Sequence, residues 1–138
     1  MERSLCIPSD PAAIDLVEAF LSAIASDLGL TDDQAGDLII AGTEAANNAI
    51  LHGNQQRRDL SVRLHARVAP CRQGRYLELS VSDEGHGLPD TPQADPTEPE
   101  HLLDISGRGL LIIRHLMDEV RVETSERGMR IVLVKTIT

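Results

Sequence analysis

The chain has 138 residues, 13 basic against 22 acidic side chains, and a net charge of -9 at pH 7. This length is sufficient for one domain with its own hydrophobic core, without disulfides or a structural metal. The acidic balance argues against binding to nucleic acid or to an anionic membrane, because both require clustered Lys and Arg that neutralise phosphate. A basic protein partner is compatible with it.

The cysteines and the N-terminus indicate a cytoplasmic protein. Cys6 and Cys71 are far apart in sequence and form no CxxC pair, so we expect them to pack as small apolar residues in a reducing compartment. No apolar segment typical of a signal peptide or a membrane span is present in the sequence. Only Phe20 and Tyr76 are aromatic, which predicts an aliphatic core and aliphatic walls around any bound base.

Two helices are predicted in the first part of the chain. Asp10 is a typical N-cap, Pro11 follows at the first helical position, and apolar residues recur at helical spacing until Gly29. The second helix begins near residues 31–33 and is expected to end at Gly53 in a left-handed cap conformation. Its packing stripe consists of small and aliphatic residues: Ala35, Leu38, Ile39, Gly42, Ala45, Ala46 and Ala49.

The sequence period changes to two after the second helix. Apolar and polar residues alternate from Leu60 to Val68, which predicts a strand with one exposed face. The same alternation from Leu77 to Val81 follows a connection at residues 70–74 and predicts an antiparallel partner strand. Helices must then cover the apolar face of this sheet.

The C-terminal third is predicted to contain a loop, a helix and two strands. Residues 88–106 contain four prolines and five acidic residues with little periodicity, which indicates a functional loop that we interpret as a lid. A helix over about residues 108–118 follows, and then a strand over residues 120–124. The last strand, residues 129–137, is apolar on both faces and is therefore expected to be central. The predicted architecture is an α/β (α+β) two-layer sandwich.

Glu44 and Asn48 lie four residues apart on the second helix, so their side chains project from one face and can share a ligand. The carbonyl oxygen of Asn48 suits Mg2+, which also takes phosphate oxygens as ligands. Glu44 would then lie near a γ-phosphate and could accept the proton of an attacking hydroxyl. The pair alone is more typical of a solvated helix face. Asn47 is a substitute ligand or a surface neighbour, and His52 is either a catalytic residue or a capping or packing histidine.

Asp83 is expected on the buried side of its strand, because it follows Leu77 in steps of two. Carboxylates are rare in such positions without a partner. The exocyclic amine of adenine would provide one, and Gly85 and Gly87 would let the backbone approach the base without a Cβ. The alternative is an ordinary turn, in which Asp-x-Gly is common. The burial parity favours the functional interpretation.

Gly107 and Gly109 flank Arg108 and precede Leu110 at the start of a predicted helix. Free backbone amides and the positive end of the helix dipole form an anion site in such a position, so phosphate groups would fit there. The alternative is a flexible hinge of the lid. The position of this segment after the Asp83 turn favours phosphate binding. Arg108 is equally suited to contact the nucleotide or a protein partner.

Three segments, residues 44–52, 83–87 and 107–120, resemble the N, G1 and G2 boxes of the GHKL ATPase superfamily. They are most similar to the anti-sigma factor serine kinases of bacterial partner-switching systems, and the resemblance covers nearly the whole chain. It implies the Bergerat ATP-binding fold, in which helices cover one face of a mixed, mostly antiparallel sheet.

The resemblance also implies a role for each motif. Glu44 would be the catalytic base, Asn48 the Mg2+ ligand and Asp83 the residue that reads adenine. The remaining nucleotide contacts would be Gly85, Gly87, Gly107, Arg108, Gly109 and Leu110. The cofactors would be ATP and Mg2+. The implied protein is a homodimeric serine kinase that phosphorylates a STAS-domain anti-anti-sigma partner and sequesters a sigma factor. The alternative function is a nucleotide-dependent module that sequesters its partner without phosphoryl transfer.

Overall fold

The structure, a computed structural model, describes residues 1–85 and 109–137. The predicted lid, His86, Gly87, Gly107 and Arg108 lie outside the described residues. The helices and strands are, in chain order, β1 (Glu2–Pro8), α1 (Ile14–Leu28), α2 (Asp32–Asn48), β2 (Ser61–Cys71), β3 (Gly74–Asp83), α3 (Gly109–Leu116), β4 (Glu119–Ser125) and β5 (Gly128–Ile137).

The caps predicted for the first helix are confirmed. The side chain of Asp10 accepts a hydrogen bond from the backbone N–H of Ala12 at 3.0 Å. A single 3-10 turn over Pro11–Ala13 then leads into α1. Gly29 ends α1 in the left-handed conformation with a φ of 66°, which glycine adopts without a steric cost.

The start of α2 is capped as its sequence indicates, but its predicted end is wrong. Thr31 and Gln34 form a reciprocal capping box. The α-helix ends at Asn48 and continues as a π-turn over Ala49–Gly53. Gly53 does not have a positive φ; Gln55 and Gln56 adopt the left-handed conformation instead. Gly53 is required for a different reason, because a Cβ there would overlap the carboxylate of Asp83.

The five strands form one sheet in the order β1-β2-β3-β5-β4, and every described pair is antiparallel. β5 lies between β3 and β4, which confirms the central position predicted from its apolar faces. The register places Val62 of β2 opposite Asp83 at the end of β3. The predicted α+β two-layer architecture is confirmed.

The core lies between one face of the sheet and the helices, and it is aliphatic as predicted. Its largest fully buried side chains come from both layers: Ile7, Leu21, Ile24, Leu38, Ile50, Leu64, Leu77, Leu79, Ile113 and Leu133. Gly42 lets α2 pack closely on α1 and on the sheet, since a Cβ there would lie 2.5 Å from Leu21 Cδ1 and 3.1 Å from Leu79 Cδ2. None of the helices within the described ranges combines the length and the apolar character needed to cross a bilayer.

Replacing Gly36 or Gly42 of α2 by Ala is predicted to change the free energy of unfolding in opposite directions. Nothing lies within 4 Å of a Cβ built on Gly36. We therefore expect Gly36→Ala to raise the free energy of unfolding by about 0.5–1 kcal/mol through the higher helix propensity of Ala. Gly42→Ala should lower it, because Leu21 must move. Urea denaturation of both variants checks this, and a destabilised Gly36→Ala would contradict it.

Candidate functional site

The side chains of Glu44 and Asn48 share one face of α2, as predicted. Glu44 is half-buried, whereas Asn48 is 8% exposed. The Nδ2 atom of Asn48 is buried and has no hydrogen-bond partner among the described residues. A buried amide without a partner is costly, so this group fits a site that a ligand completes. Rotation of the carboxamide by half a turn would present its oxygen at the same place.

The start of α3 meets this face of α2. A Cβ on Gly109 would lie 2.9 Å from Glu44 Oε2 and 3.2 Å from Asn48 Nδ2. Any larger residue at Gly109 would therefore crowd both polar side chains. The structure brings together two motifs that are 61 residues apart in sequence, counted from Asn48 to Gly109. Leu110 is 2% exposed and its side chain belongs to the core, which leaves its backbone amide as the candidate ligand contact.

Lys135 of β5 fixes α3 in this position. Its Nζ donates to the carboxylate of Asp37 on α2 at 3.0 Å and to the carbonyl oxygen of Leu116 at 2.8 Å. The lysine thus occupies the C-terminal end of α3, where a cation interacts favourably with the helix dipole. Gly109 lies against Glu44 in the C-terminal half of α2, and Lys135 connects Leu116 to Asp37 in the N-terminal half, so α3 runs antiparallel to α2.

Asp83 lies at the end of β3 and is 7% exposed, which confirms the burial predicted from parity. Its Oδ1 accepts a hydrogen bond from the backbone N–H of Met129 at 3.1 Å, and the backbone N–H of Gly85 also donates to the carboxylate. Burial raises the pKa of Asp83 from 3.8 to about 6, although both hydrogen bonds act to lower it. An ionised carboxylate has about four acceptor positions, so Asp83 can accept a further hydrogen bond from a ligand.

Two glycines lie directly against Asp83, and a third packs on one of them. A Cβ on Gly53 would overlap the carboxylate of Asp83, and one on Gly85 would overlap the carbonyl group of Gly53. Gly128, at a φ of 140°, lies against the backbone of Asp83. Sequence reasoning identified Gly85 but missed the roles of Gly53, Gly128 and Met129. For Gly53 and Gly128, the only signal in the sequence was that each is a glycine, because Asp83, which each contacts, is distant in the chain.

The two ends of the site are joined by one helical segment. Glu44, Asn48 and Gly109 form one end, and Asp83 with Gly53 forms the other. The π-turn that continues α2 covers the five residues Ala49–Gly53, roughly 7 Å at the rise of an α-helix. The segment therefore fixes the distance between the buried amide and the buried carboxylate. His52, in the same turn, is exposed.

The raised pKa of Asp83 predicts a pH dependence of stability. The ionised form is disfavoured in the folded protein, so Asp83 favours folding below a pH of 3.8, and this contribution is lost as the pH rises to about 6. Denaturation of the wild type and of Asp83→Asn at pH values from about 4 to 7 checks this. The difference in unfolding free energy between the two proteins should shift in favour of the variant as pH rises. A difference that is constant with pH would contradict the prediction.

A family model described as a histidine kinase-like ATPase domain matches residues 7–135 of the chain. The chain is 34% identical over 135 residues to the serine-protein kinase RsbW of Bacillus subtilis (strain 168), an alignment that covers 94% of this chain and 81% of that protein. It is 35% identical over 123 residues to the anti-sigma F factor of Halalkalibacterium halodurans, covering 86% and 80%. It is 29% identical over 140 residues to RsbW of Listeria monocytogenes, covering 97% and 86%.

Proposed function

Because the chain belongs to the histidine kinase-like ATPase domain family, we propose that it is an ATP-dependent protein-serine kinase that also acts as an anti-sigma factor. Relatives named serine-protein kinase and anti-sigma F factor each cover most of the chain and support the two activities. The observation that carries the proposal is the convergence of Glu44, Asn48 and Gly109, with the buried Asn48 amide unpaired in the described residues.

The phosphate end of the site supplies positioning and a base. Glu44 is half-buried beside Gly109, where it would accept the proton of a serine hydroxyl as that oxygen attacks the γ-phosphate. Backbone amides at the start of α3, those of Gly109 and Leu110, would face the phosphates. We include Gly107 and Arg108 in this contact on the basis of their sequence alone.

The unpaired carboxamide of Asn48 fits a Mg2+ ligand, because its oxygen is a hard, neutral donor and its present environment leaves the group unsatisfied. When bound, the ion would offset the negative charge of the phosphate groups. This contribution would be substantial here, because α2 carries no Lys or Arg and Arg108 is the one cation proposed at the phosphate contact.

The adenine end of the site consists of Asp83 and the glycines that surround it. Asp83 would accept a hydrogen bond from the exocyclic amine, and the absence of a side chain at Gly85 lets the base approach the backbone. Gly87 has the same proposed role. The aliphatic composition of the core agrees with a base held by aliphatic walls rather than by aromatic stacking.

We further propose that the phosphate acceptor is a serine of a STAS-domain anti-anti-sigma protein, that a sigma factor is the sequestered partner, and that the kinase is a homodimer. The net charge of -9 is compatible with a basic partner surface. The relative named an anti-sigma F factor also supports the second candidate, a sequestering module that binds nucleotide without transferring phosphate.

Incubation with γ-labelled ATP, Mg2+ and a purified STAS-domain protein tests the proposal. We expect label on a serine of that protein and loss of transfer in the presence of EDTA. The matched control is the same STAS-domain protein with that serine changed to Ala. If the protein binds ATP and a sigma factor but labels no serine in any of several STAS-domain proteins, the kinase proposal is wrong and the sequestering module is supported.

A further inference from the structure

Asn54 is a buried amide that the proposed reaction does not use, and it is tied to the turn that carries Asp83. It is 1% exposed. Its Oδ1 accepts a hydrogen bond from the backbone N–H of Glu84 at 2.9 Å. Its Nδ2 donates both of its hydrogens, to Ser9 Oγ at 2.6 Å and to the carbonyl oxygen of Ser61 at 2.9 Å. Each group of the carboxamide thus has a partner, unlike the carboxamide of Asn48.

These bonds connect three parts of the chain to one point. Ser9 follows β1, Ser61 begins β2, and Glu84 follows Asp83 at the end of β3. The side chain of Glu84 adds a second link to the start of β2, since its Oε2 accepts a hydrogen bond from the backbone N–H of Ser61 at 2.7 Å. The turn after Asp83 is therefore fixed at both the backbone and the side chain of Glu84.

The close contacts of Gly53 and Gly85 explain why the turn after Asp83 needs the hydrogen bond from Glu84 to Asn54. Gly85 lies against the carbonyl group of Gly53, and Gly53 lies against the Asp83 carboxylate, with no side chain between them. Contacts between glycines have little area, so packing alone holds this turn weakly. Asn54 directly follows Gly53, and its amide is the polar side chain that spans from the end of the π-turn to the Asp83 turn.

We infer that Asn54 is a positioning residue for adenine selection: by holding the Glu84 amide, it sets the orientation of the Asp83 carboxylate toward the base. It acts through Asp83 and contacts no ligand atom itself. This inference rests on the proposed reading of adenine by Asp83. If Asn54 has this role, the continuous segment from Asn48 to Asn54 sets the distance between the adenine end and the phosphate end of the site.

The test compares the binding of ATP with that of ITP, which carries a carbonyl oxygen at the position of the adenine amine. In Asn54→Ala we expect the preference for ATP over ITP to fall by at least about fivefold, because a mispositioned Asp83 loses most of its charge-assisted hydrogen bond. If Asn54 had a purely structural role, Asn54→Ala would reduce the folded fraction and weaken the binding of ATP and ITP equally. The preference for ATP over ITP would then be unchanged. Calorimetric titrations well below the melting temperature separate these two outcomes.

Ser9→Ala is the matched control. It removes a partner of the same amide on the side away from the turn, so it should lower the melting temperature and keep the preference for ATP. In the Asp83→Asn background, Asn54→Ala should produce no further change in preference, because its effect is transmitted by Asp83. An equal further change in that background would overturn the inference.

Two results separate this inference from the proposed function. A wild type that binds ATP and ITP equally well overturns the role of Asp83 and this inference with it. A wild-type preference that persists in folded Asn54→Ala overturns this inference alone. If Asn54→Ala does not fold, hydrogen exchange of the wild-type Glu84 amide decides: protection is expected, and exchange at the rate of an unprotected amide would contradict the attachment.

Discussion

Glu44→Gln is expected to lower the rate of serine phosphorylation by about 10²–10⁴-fold, the usual contribution of a general base. The glutamine has the same shape and still fits beside Gly109, but it cannot accept a proton at neutral pH. ATP affinity should change little, because the lost function concerns the attacking hydroxyl. Single-turnover transfer to the STAS-domain protein and calorimetric titration of ATP measure the two quantities separately.

The control for this variant is Glu18→Gln, the same change at an exposed position of α1. It should leave both the transfer rate and the ATP affinity unaltered. Transfer at the wild-type rate in Glu44→Gln would remove Glu44 from the chemistry. A loss of ATP affinity as large as the loss of rate would instead indicate that Glu44 acts in nucleotide binding.

Asp83→Asn is expected to weaken ATP binding at least about tenfold, since a hydrogen bond to a charged group contributes about 1.5–3 kcal/mol. The fold should persist, because the Asn oxygen can still accept from Met129 and the cost of burying an ionised carboxylate disappears. ATP titration together with thermal denaturation followed by circular dichroism measures both effects.

Glu84→Gln is the control for Asp83→Asn, because the side chain of Glu84 is exposed and a glutamine oxygen can still accept the Ser61 N–H. Its ATP affinity should equal that of the wild type. Unchanged affinity in Asp83→Asn would exclude Asp83 from the nucleotide site.

The two substitutions should differ in one further respect. At saturating ATP, Asp83→Asn should recover most of the wild-type rate of transfer, because its defect lies in binding. Glu44→Gln should remain slow at any ATP concentration. This contrast follows from the separation of the phosphate end from the adenine end along α2 and its π-turn.

Several parts of the site were predictable because their signals are local. The face shared by Glu44 and Asn48 follows from a spacing of four residues on a helix. The burial of Asp83 follows from counting by two along β3, and the structure confirms it. The helix caps at Asp10 and Gly29 follow from residue types whose preferences are set by the adjacent backbone.

Other parts could not be predicted, because they depend on pairs that are far apart in the chain. Gly53 was expected to be a left-handed helix end, yet its constraint is the carboxylate of Asp83, 30 residues later. In the sequence, Lys135 is an unremarked residue of the last strand. Only the fold shows that it binds Asp37 and the end of α3. Asn54 carries no sequence signal that separates it from a polar turn residue.

By itself, the sequence determined the helices, the alternating strands, the aliphatic core, the family resemblance and the inward position of Asp83, because each depends on a period or a motif within a short stretch. Only the tertiary structure decided that Gly109 lies against Glu44 and Asn48, that two glycines lie against Asp83, and that Asn54 holds the turn after it. The physical reason is that a close approach involves two segments of the chain. The sequence of one segment does not show which other segment leaves no room for a Cβ.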